Sequence, residues 1–352
     1  MALRIDTAAV PGIERLATAV SPATRRQVRK NLWSYIFLLP LLVLVGLFVV
    51  YPMVASINIT LYDWNGIGNP TRFVGLRHFF TVSRDPLFWN AFKNTFTYAL
   101  VLVPIQLTLA LILALVLNNP KLKGSTIYRA VYFSPVVTSA AMVGVVMTML
   151  LGGVGDKLNG LLLDIGLIRA PIDWLGDPRF ALPVVIAVGI WHTLGYNLVY
   201  FLAALQSIPK ELYEAARVDG ANAFHQFRYV TVPMLRDVGV VIVFLAILGS
   251  LQVFDLVLVM TGGGPYFASE VVSTYIYHYA FTPAAVQAEA NVGYASAAAL
   301  FMGLIVMGIT IMQLLAVRYA ASRRSELKSA PAAAGERVPR GGAYRGDGAD
   351  LN

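Results

Sequence analysis

Gly189, His192, Thr193 and Tyr196 recur at i, i+3, i+4 and i+7 inside an apolar run, which places them on one face of a helix. Imidazole, hydroxyl and phenol groups suit a neutral solute rich in hydroxyls. They pair hydrogen bonds and stack on a sugar face without bringing charge into an apolar setting. The same groups serve as well to bond neighbouring helices, and their spacing does not separate the two readings. Ser250 and Gln252 in a later apolar run, and Thr138 and Ser139 in an earlier one, are further candidates for such a cavity. No metal site is expected at His192, because no second His or carboxylate stands at ligand spacing on its helix. Asp255 is the one ionisable residue in the core of an apolar run, so it should face a cavity, a partner or the outer interface.

Other chemistries are excluded by what the chain lacks. With no cysteine there is no disulfide framework, thiolate metal site or cysteine nucleophile. Neither paired aspartates nor His-Glu-x-x-His lies in an apolar run, which argues against an intramembrane enzyme. A phosphate loop needs Gly-Lys followed by Ser or Thr, and no Gly-Lys dipeptide occurs; Lys123, Gly124 and Ser125 have the order reversed.

The polar loop 206–235, QSIPKELYEAARVDGANAFHQFRYVTVPML, reads as two short helices around a glycine. Pro209 stands at the first helix's start, where Glu211 and Glu214 favour the positive end of the helix dipole. Leu212, Ala215, Ala216 and Val218 give it a small apolar surface. Gly220 is placed to end it in a left-handed conformation where a side chain would clash, and an amphipathic stretch 224–230 leads on to Pro233. This pattern suits docking into a groove on another protein; the plainer alternative is a helix lying on the membrane surface.

These pieces must be held by elements suited to lipid. Of 352 residues 57% are hydrophobic and 13% charged, against about 25% charged in an ordinary soluble domain. Six runs are long enough to span a bilayer: 35–54, 96–117, 131–151, 181–205, 238–259 and 295–317. The first is expected to be an uncleaved span, since no small-residue cleavage site follows it. The net charge of +8 is distributed as topology control rather than as a nucleic-acid surface. Lys and Arg number six before the first span, three after the second, four after the fourth and seven after the sixth. The alternate segments hold four, three and none, so both termini are expected on the cytoplasmic side. Prolines 40, 52, 104, 135 and 183 in or beside the spans mark bends that serve packing or a transport path. The expected division is an N-terminal tail 1–32, a first span with its outside loop 33–90, a core 91–318 holding five spans, and a disordered tail 319–352. Ala295, Ala299 and Gly303 recur every four residues, a small-residue stripe suited to helix packing in lipid.

The stretch EAARVDGANAFHQFRYVTVPML resembles the coupling motif of binding-protein-dependent ABC importer permeases, with Glu214, Ala215, Ala216, Asp219, Gly220 and Ala221 all matching. FVGLRHFF with DPLFWNAFKNTFTYAL, and MTGGGP followed by STYIYHYAF and VGYASAAA, are similar to the sugar class and to the first of its two permease partners, the maltose-F type. The resemblance covers about 33–318; the extra outer domain and N-terminal spans of the maltose protein are absent.

It implies an all-α membrane fold of the type I importer (MetI-like) kind in the bacterial cytoplasmic (inner) membrane. The partners implied are a second, different permease subunit, two cytoplasmic ATPase subunits and an extracytoplasmic solute-binding protein. ATP and Mg would be bound by the ATPase, leaving no cofactor in this chain. The face holding His192 would line the sugar site, with a di- or oligosaccharide as solute. A glycerol-phosphate-type solute is the alternative within the class, disfavoured by the lack of Lys or Arg in the expected cavity. An ion-coupled secondary transporter would need buried ionisable relays, for which only Asp255 is available, and a channel would leave the helix–glycine–helix loop unexplained.

Overall fold

The computed structural model describes residues 32–286 and 288–329. The expected tails 1–32 and 319–352 lie largely outside them. Among the described residues the regular structure is helical apart from one small hairpin: α1 (Leu32–Val45), a π-helical turn (Gly46–Val50), α2 (Tyr51–Ile59), β1 (Tyr62–Asp63), β2 (Arg72–Phe73), α3 (Arg77–Arg84), α4 (Pro86–Leu117), α5 (Ser125–Val137) and α6 (Ala140–Asp164). After these come α7 (Ala181–Gln206), α8 (Lys210–Val218), α9 (Ala223–Gln226), a second π-helical turn (Phe227–Thr231), α10 (Val232–Leu251), α11 (Asp255–Met260), α12 (Val272–Phe281), a 3-10 turn (Pro283–Val286) and α13 (Val292–Ser329). Six stretches are long and apolar enough to cross a membrane: Ile36–Ile59, Pro86–Leu117, Ala140–Asp164, Ala181–Gln206, Ala223–Leu251 and Val292–Leu315.

Several boundaries differ from the sequence expectation, each for a local reason. The second span starts earlier, at Pro86, because Asp85 caps it by accepting from the Leu87 amide at 2.8 Å. The third, expected at 131–151, is broken. Pro135 cannot donate a ladder bond, Thr138 and Ser139 turn extended, and Ser139 Oγ starts α6 by accepting from the Met142 amide. The fifth, expected at 238–259, ends at Leu251, so Asp255 lies outside its core, exposed at the first residue of α11. At its other end this span extends back through the second π turn to Ala223, absorbing the stretch 224–230 expected as a separate helix. The last helix continues to Ser329, past the expected boundary at 318.

Both π turns stand directly before a proline. The Tyr51 amide bonds the Gly46 carbonyl ahead of Pro52, and the Val232 amide bonds the Phe227 carbonyl ahead of Pro233. A proline ring collides with the carbonyl four residues back; widening the preceding turn by one residue moves that carbonyl aside and keeps the helix unbroken.

The core forms around α4 and α7. Near one end of the bundle Tyr98 and Leu102 of α4 meet Val185 and Ile186 of α7, with Val143 and Val257 completing the cluster. Towards the other end Ala110 and Ala114 meet Leu198, Phe201 and Leu205, closed by Leu235 and Ile242 of α10. A third cluster joins Val82, Phe88, Val272, Tyr275, Tyr294 and Met302 across α3, α4, α12 and α13. By contrast, Ile36–Ile59 buries none of its apolar side chains within the chain. On α13, Ala295 is buried while Ala299 and Gly303 face outward, so the small-residue stripe is divided between the inside and the outside of the subunit.

The third cluster is fixed by one carboxylate. Asp85 Oδ2 accepts from the hydroxyls of Tyr275 (2.5 Å) and Tyr294 (2.8 Å), with Tyr279 at 3.5 Å, while its Oδ1 caps α4. Burial, then the bond to Asp85, holds the Tyr275 hydroxyl far above its ordinary range, so it remains a proton donor. Asp85→Ala is expected to lose the cap, about 1 kcal/mol, and to strand buried hydroxyls at about 1–3 kcal/mol. Thermal unfolding of the detergent-solubilised protein should show the drop, and Asp85→Asn, which keeps an acceptor, should recover part of it.

Candidate functional site

The segment 206–235 is the most elaborated part of the chain outside the bundle. Pro209 precedes α8, whose first turn carries Glu211 and whose last turn carries Arg217, matching the helix dipole at both ends. The helix stops in a Schellman arrangement: the Gly220 amide bonds the Arg217 carbonyl at 3.1 Å and the Ala221 amide bonds the Ala216 carbonyl at 2.9 Å. Gly220 has φ +80°, the left-handed conformation this arrangement requires. A Cβ there would meet nothing within 4 Å, so the constraint is backbone conformation and not the clash expected from sequence. Asn222 then caps α9 by accepting from the His225 amide, and Gln226 Nε2 donates to the Ala221 carbonyl. Tyr213 and Thr231 hydroxyls, 2.9 Å apart, brace α8 against the root of the fifth span.

Glu214, Ala215, Asp219 and Gly220 are exposed, and Ala216 and Ala221 half-buried. Beside them Val218 is 88% exposed, and Phe224 (69%) and Tyr229 (70%) are exposed at the Ala223 end of the fifth apolar stretch. Exposed apolar groups held rigidly in one place mark a contact surface.

The eight residues expected to line a solute path do not converge on one surface. His192 is buried, its Nε2 3.1 Å from the Thr138 carbonyl; a carbonyl only accepts, so Nε2 carries the proton. Thr193 Oγ1 donates to Gln106 Oε1 on α4 at 2.5 Å and lies 2.7 Å from the Gly189 carbonyl. Gly189 is packed under Tyr98 and Leu102 of α4, where a Cβ would overlap the Tyr98 hydroxyl. Thus Gly189 and Thr193 face α4, while His192 and Tyr196 face α5, with Tyr196 set edge-on to Phe133 and half-exposed. Ser250 is buried on the Ile247 carbonyl, Gln252 is exposed at the end of α10, and Thr138 and Ser139 are exposed at the α5–α6 break.

A groove of about 860 Å³ opens between α5, α6 and α7, with Thr138, Ser134 and Pro135 on one wall and Trp191, Leu194 and Met142 among the others. It includes Thr138 of the expected residues. Trp191 and Gln106 were missed from sequence. Gln106 was discernible as a lone amide within the second apolar run, whereas Trp191 carried no separate signal beside His192. Close approach of α5 to α7 depends on Gly195, where a Cβ would overlap the Tyr132 carbonyl and press on Phe133 Cα.

Residues 88–325 match the family described as binding-protein-dependent transport system inner membrane component. The chain belongs to that family. Among curated proteins it is 37% identical to a probable ABC transporter permease, YurN, of Bacillus subtilis, over 80% of this chain and 94% of that one. It is 35% identical to the lactose transport system permease LacF of Rhizobium radiobacter, over 86% and 99%. The trehalose/maltose permease MalF of Thermococcus litoralis is 30% identical over 84% and 97%. A solved bacterial ABC transporter for the acidic polysaccharide alginate contains a chain of the same fold, with TM-score 0.68, 24% identity, and 84% and 98% covered. This inner membrane component is therefore an integral transporter subunit with six apolar spans.

Gly220 and Gly195 should respond differently to the same small change. Gly220→Ala is expected to cost about 1–2 kcal/mol, confined to its own loop. Gly195→Ala sets a methyl against backbone that cannot swing aside, and is expected to cost about 1–3 kcal/mol while parting α5 from α7. Thermal unfolding, together with hydrogen exchange of the α5 amides, checks the contrast: only Gly195→Ala should raise exchange in α5.

Proposed function

We propose that this chain is one half of the membrane pore of an ABC importer that takes up a sugar, most simply a di- or oligosaccharide. The observation that carries the reading is the braced helix–glycine–helix within 206–235, with Val218 and Phe224 exposed on it. In this reading it docks into a cleft of a cytoplasmic ATPase subunit. Glu214, Ala215, Ala216, Asp219, Gly220 and Ala221 form the docking element, and ATP with its Mg is held by the partner. Both termini then lie on the cytoplasmic side, as the Lys and Arg distribution also favours. The sugar class is supported by the lactose, trehalose/maltose and arabinooligosaccharide systems in which similar permeases work.

The α5–α6 break gives a physical basis for the solute path. Non-helical backbone at membrane depth is tolerated only where it meets protein or lines a water-filled cavity. Thr138 and Ser139 are exposed in the isolated subunit, so a second, different permease subunit faces the groove across an aqueous path. Tyr196, Thr138 and Gln252, still free in part, contact the solute there; Gly189, His192 and Thr193 shape the wall behind them, and Ser250 holds the α10 end. One docking segment per chain calls for two ATPase subunits per pore, and a solute-binding protein delivers the sugar from outside.

Native mass spectrometry of the transport-competent complex is expected to show one copy of this chain, one of another permease and two ATPase subunits. Two copies of this chain with no second permease would refute the paired pore. Val218→Asp with Phe224→Asp should reduce ATPase retention at least ten-fold while leaving this chain in the membrane. Tyr196→Ala should lower sugar uptake with assembly and basal ATP hydrolysis intact; loss of all three together would assign Tyr196 to packing.

A further inference from the structure

The short helix α3 divides its residues between two faces. His78 and Val82 point into the fold: His78 Nε2 lies 3.1 Å from the Tyr62 carbonyl, and Val82 is buried in one cluster with Phe88 and Met302. Arg77, Phe80, Thr81 and Arg84 stand at i, i+3, i+4 and i+7, so they share the other face, and all four are exposed. With Leu76 and Asp85 they line an open groove of about 660 Å³. Leu76 and Phe80 are left 59% and 64% exposed in it, and an arginine stands at each end of the helix. Neither arginine has an ion-pair partner among the described residues. Asp85 is within ion-pair distance of neither, and its oxygens are committed to the Tyr275 and Tyr294 hydroxyls and the Leu87 amide.

The packing of α3 sets its depth. Val82 shares its cluster with Tyr294, Ala298 and Met302 of α13, which belong to the apolar stretch Val292–Leu315. His78 is set edge-on to Tyr294. Trp89, just past the helix and partly exposed, donates from Nε1 to the Ser83 carbonyl at 2.9 Å and stands edge-on to Phe301. The open face of α3 is therefore level with the first turns of the last span, at the membrane boundary, where exposed aromatic groups such as Trp89 gather. The Leu117 end of α4 packs with the Leu205 end of α7, which leads into the segment 206–235. Because α3 adjoins the Pro86 end of α4, it lies at the opposite boundary, the outer one; that assignment alone rests on the importer reading.

We propose that the α3 groove holds an anionic membrane phospholipid, its phosphate between Arg77 and Arg84 and its glycerol and upper acyl chain against Leu76 and Phe80. Seven residues place the two arginines about 10 Å apart along the helix, a span that two long side chains close around one phosphate. Guanidinium forks match phosphate oxygens, and an apolar strip between two cations matches a headgroup joined to its chains. Cations on this side also work against the signal that sets topology, so they stand here at a cost. Of the four Lys and Arg that precede the second apolar run, Arg72 is paired with Asp63 at 3.0 Å, and Arg77, Arg84 and Lys93 have no ion-pair partner among the described residues. An acidic protein would meet the arginines equally well. The depth beside the last span decides between them, since it sets lipid over Leu76 and Phe80.

The experiment uses the full chain in its assembled complex, in nanodiscs of phosphatidylcholine with a minor share of phosphatidylglycerol that carries a photoreactive group at the top of one acyl chain. Irradiation and peptide mass spectrometry are expected to find label within 73–93. Excess plain phosphatidylglycerol should remove it, whereas inorganic phosphate and glycerol phosphate should not. Arg77→Gln with Arg84→Gln should lower the labelling about 25-fold, since each basic residue contributes about five-fold at an anionic surface. Arg77→Lys with Arg84→Lys, which keeps both charges, should retain most of it. Both arginines are exposed, so thermal unfolding should be unchanged in either pair of variants. Because the chain has no cysteine, Thr81→Cys gives it a single position for a spin label, which oxygen dissolved in the bilayer should reach. Four results would each overturn the proposal: unchanged labelling in the glutamine pair, equal labelling by a phosphatidylcholine probe, displacement by glycerol phosphate, or a spin label shielded from oxygen by a protein neighbour.

Discussion

A peptide group without a hydrogen-bond partner cannot rest in hydrocarbon, and much of this architecture is arranged around that requirement. Where prolines 52 and 233 remove a donor, a π turn redistributes the ladder and the helix continues. Where Pro135, Thr138 and Ser139 break it, the Thr138 carbonyl is taken up by His192 and the Met142 amide by Ser139. Where α4 begins, Asp85 accepts from its first free amide. The break at Thr138 and Ser139 is exposed on the outside of the subunit, and it coincides with the groove between α5, α6 and α7.

The same requirement separates the two ends of the bundle. On the side of α12 and the start of α13, polar groups turn inward: one carboxylate gathers three tyrosines, and two asparagines hold a loop that crosses α4. On the side of α8, polar and apolar groups mostly turn outward, on a helix held to the bundle by Tyr213, which packs on the Leu198–Leu235 cluster and bonds Thr231. A cap held by buried polar groups and a projecting arm are joined by the unbroken helix Ala223–Leu251.

Sequence alone determined what depends on composition and on residues close together in the chain. Six apolar runs specified six spans, because about 20 residues are needed to cross a bilayer whatever their neighbours are. Gly220 could be read as a helix stop, since its left-handed turn is closed by carbonyls of the preceding turn. The family was legible in the strings around Glu214 and Met260 for the same reason. Tertiary structure alone decided the rest. The splits in the third and fifth runs escaped the sequence because hydropathy averages over a window and is blind to a break of two or three residues. The face bearing Gly189, His192, Thr193 and Tyr196 was divided between α4 and α5, because which neighbour lies over each side of a helix is set by packing. Asp85 and its tyrosines stand 190 to 209 residues apart, and nothing in either stretch announces the other. Gly195 and Gly220 look alike in the chain, yet one is required by a neighbouring backbone and the other by its own φ, a distinction that exists only once α5 has been laid across α7.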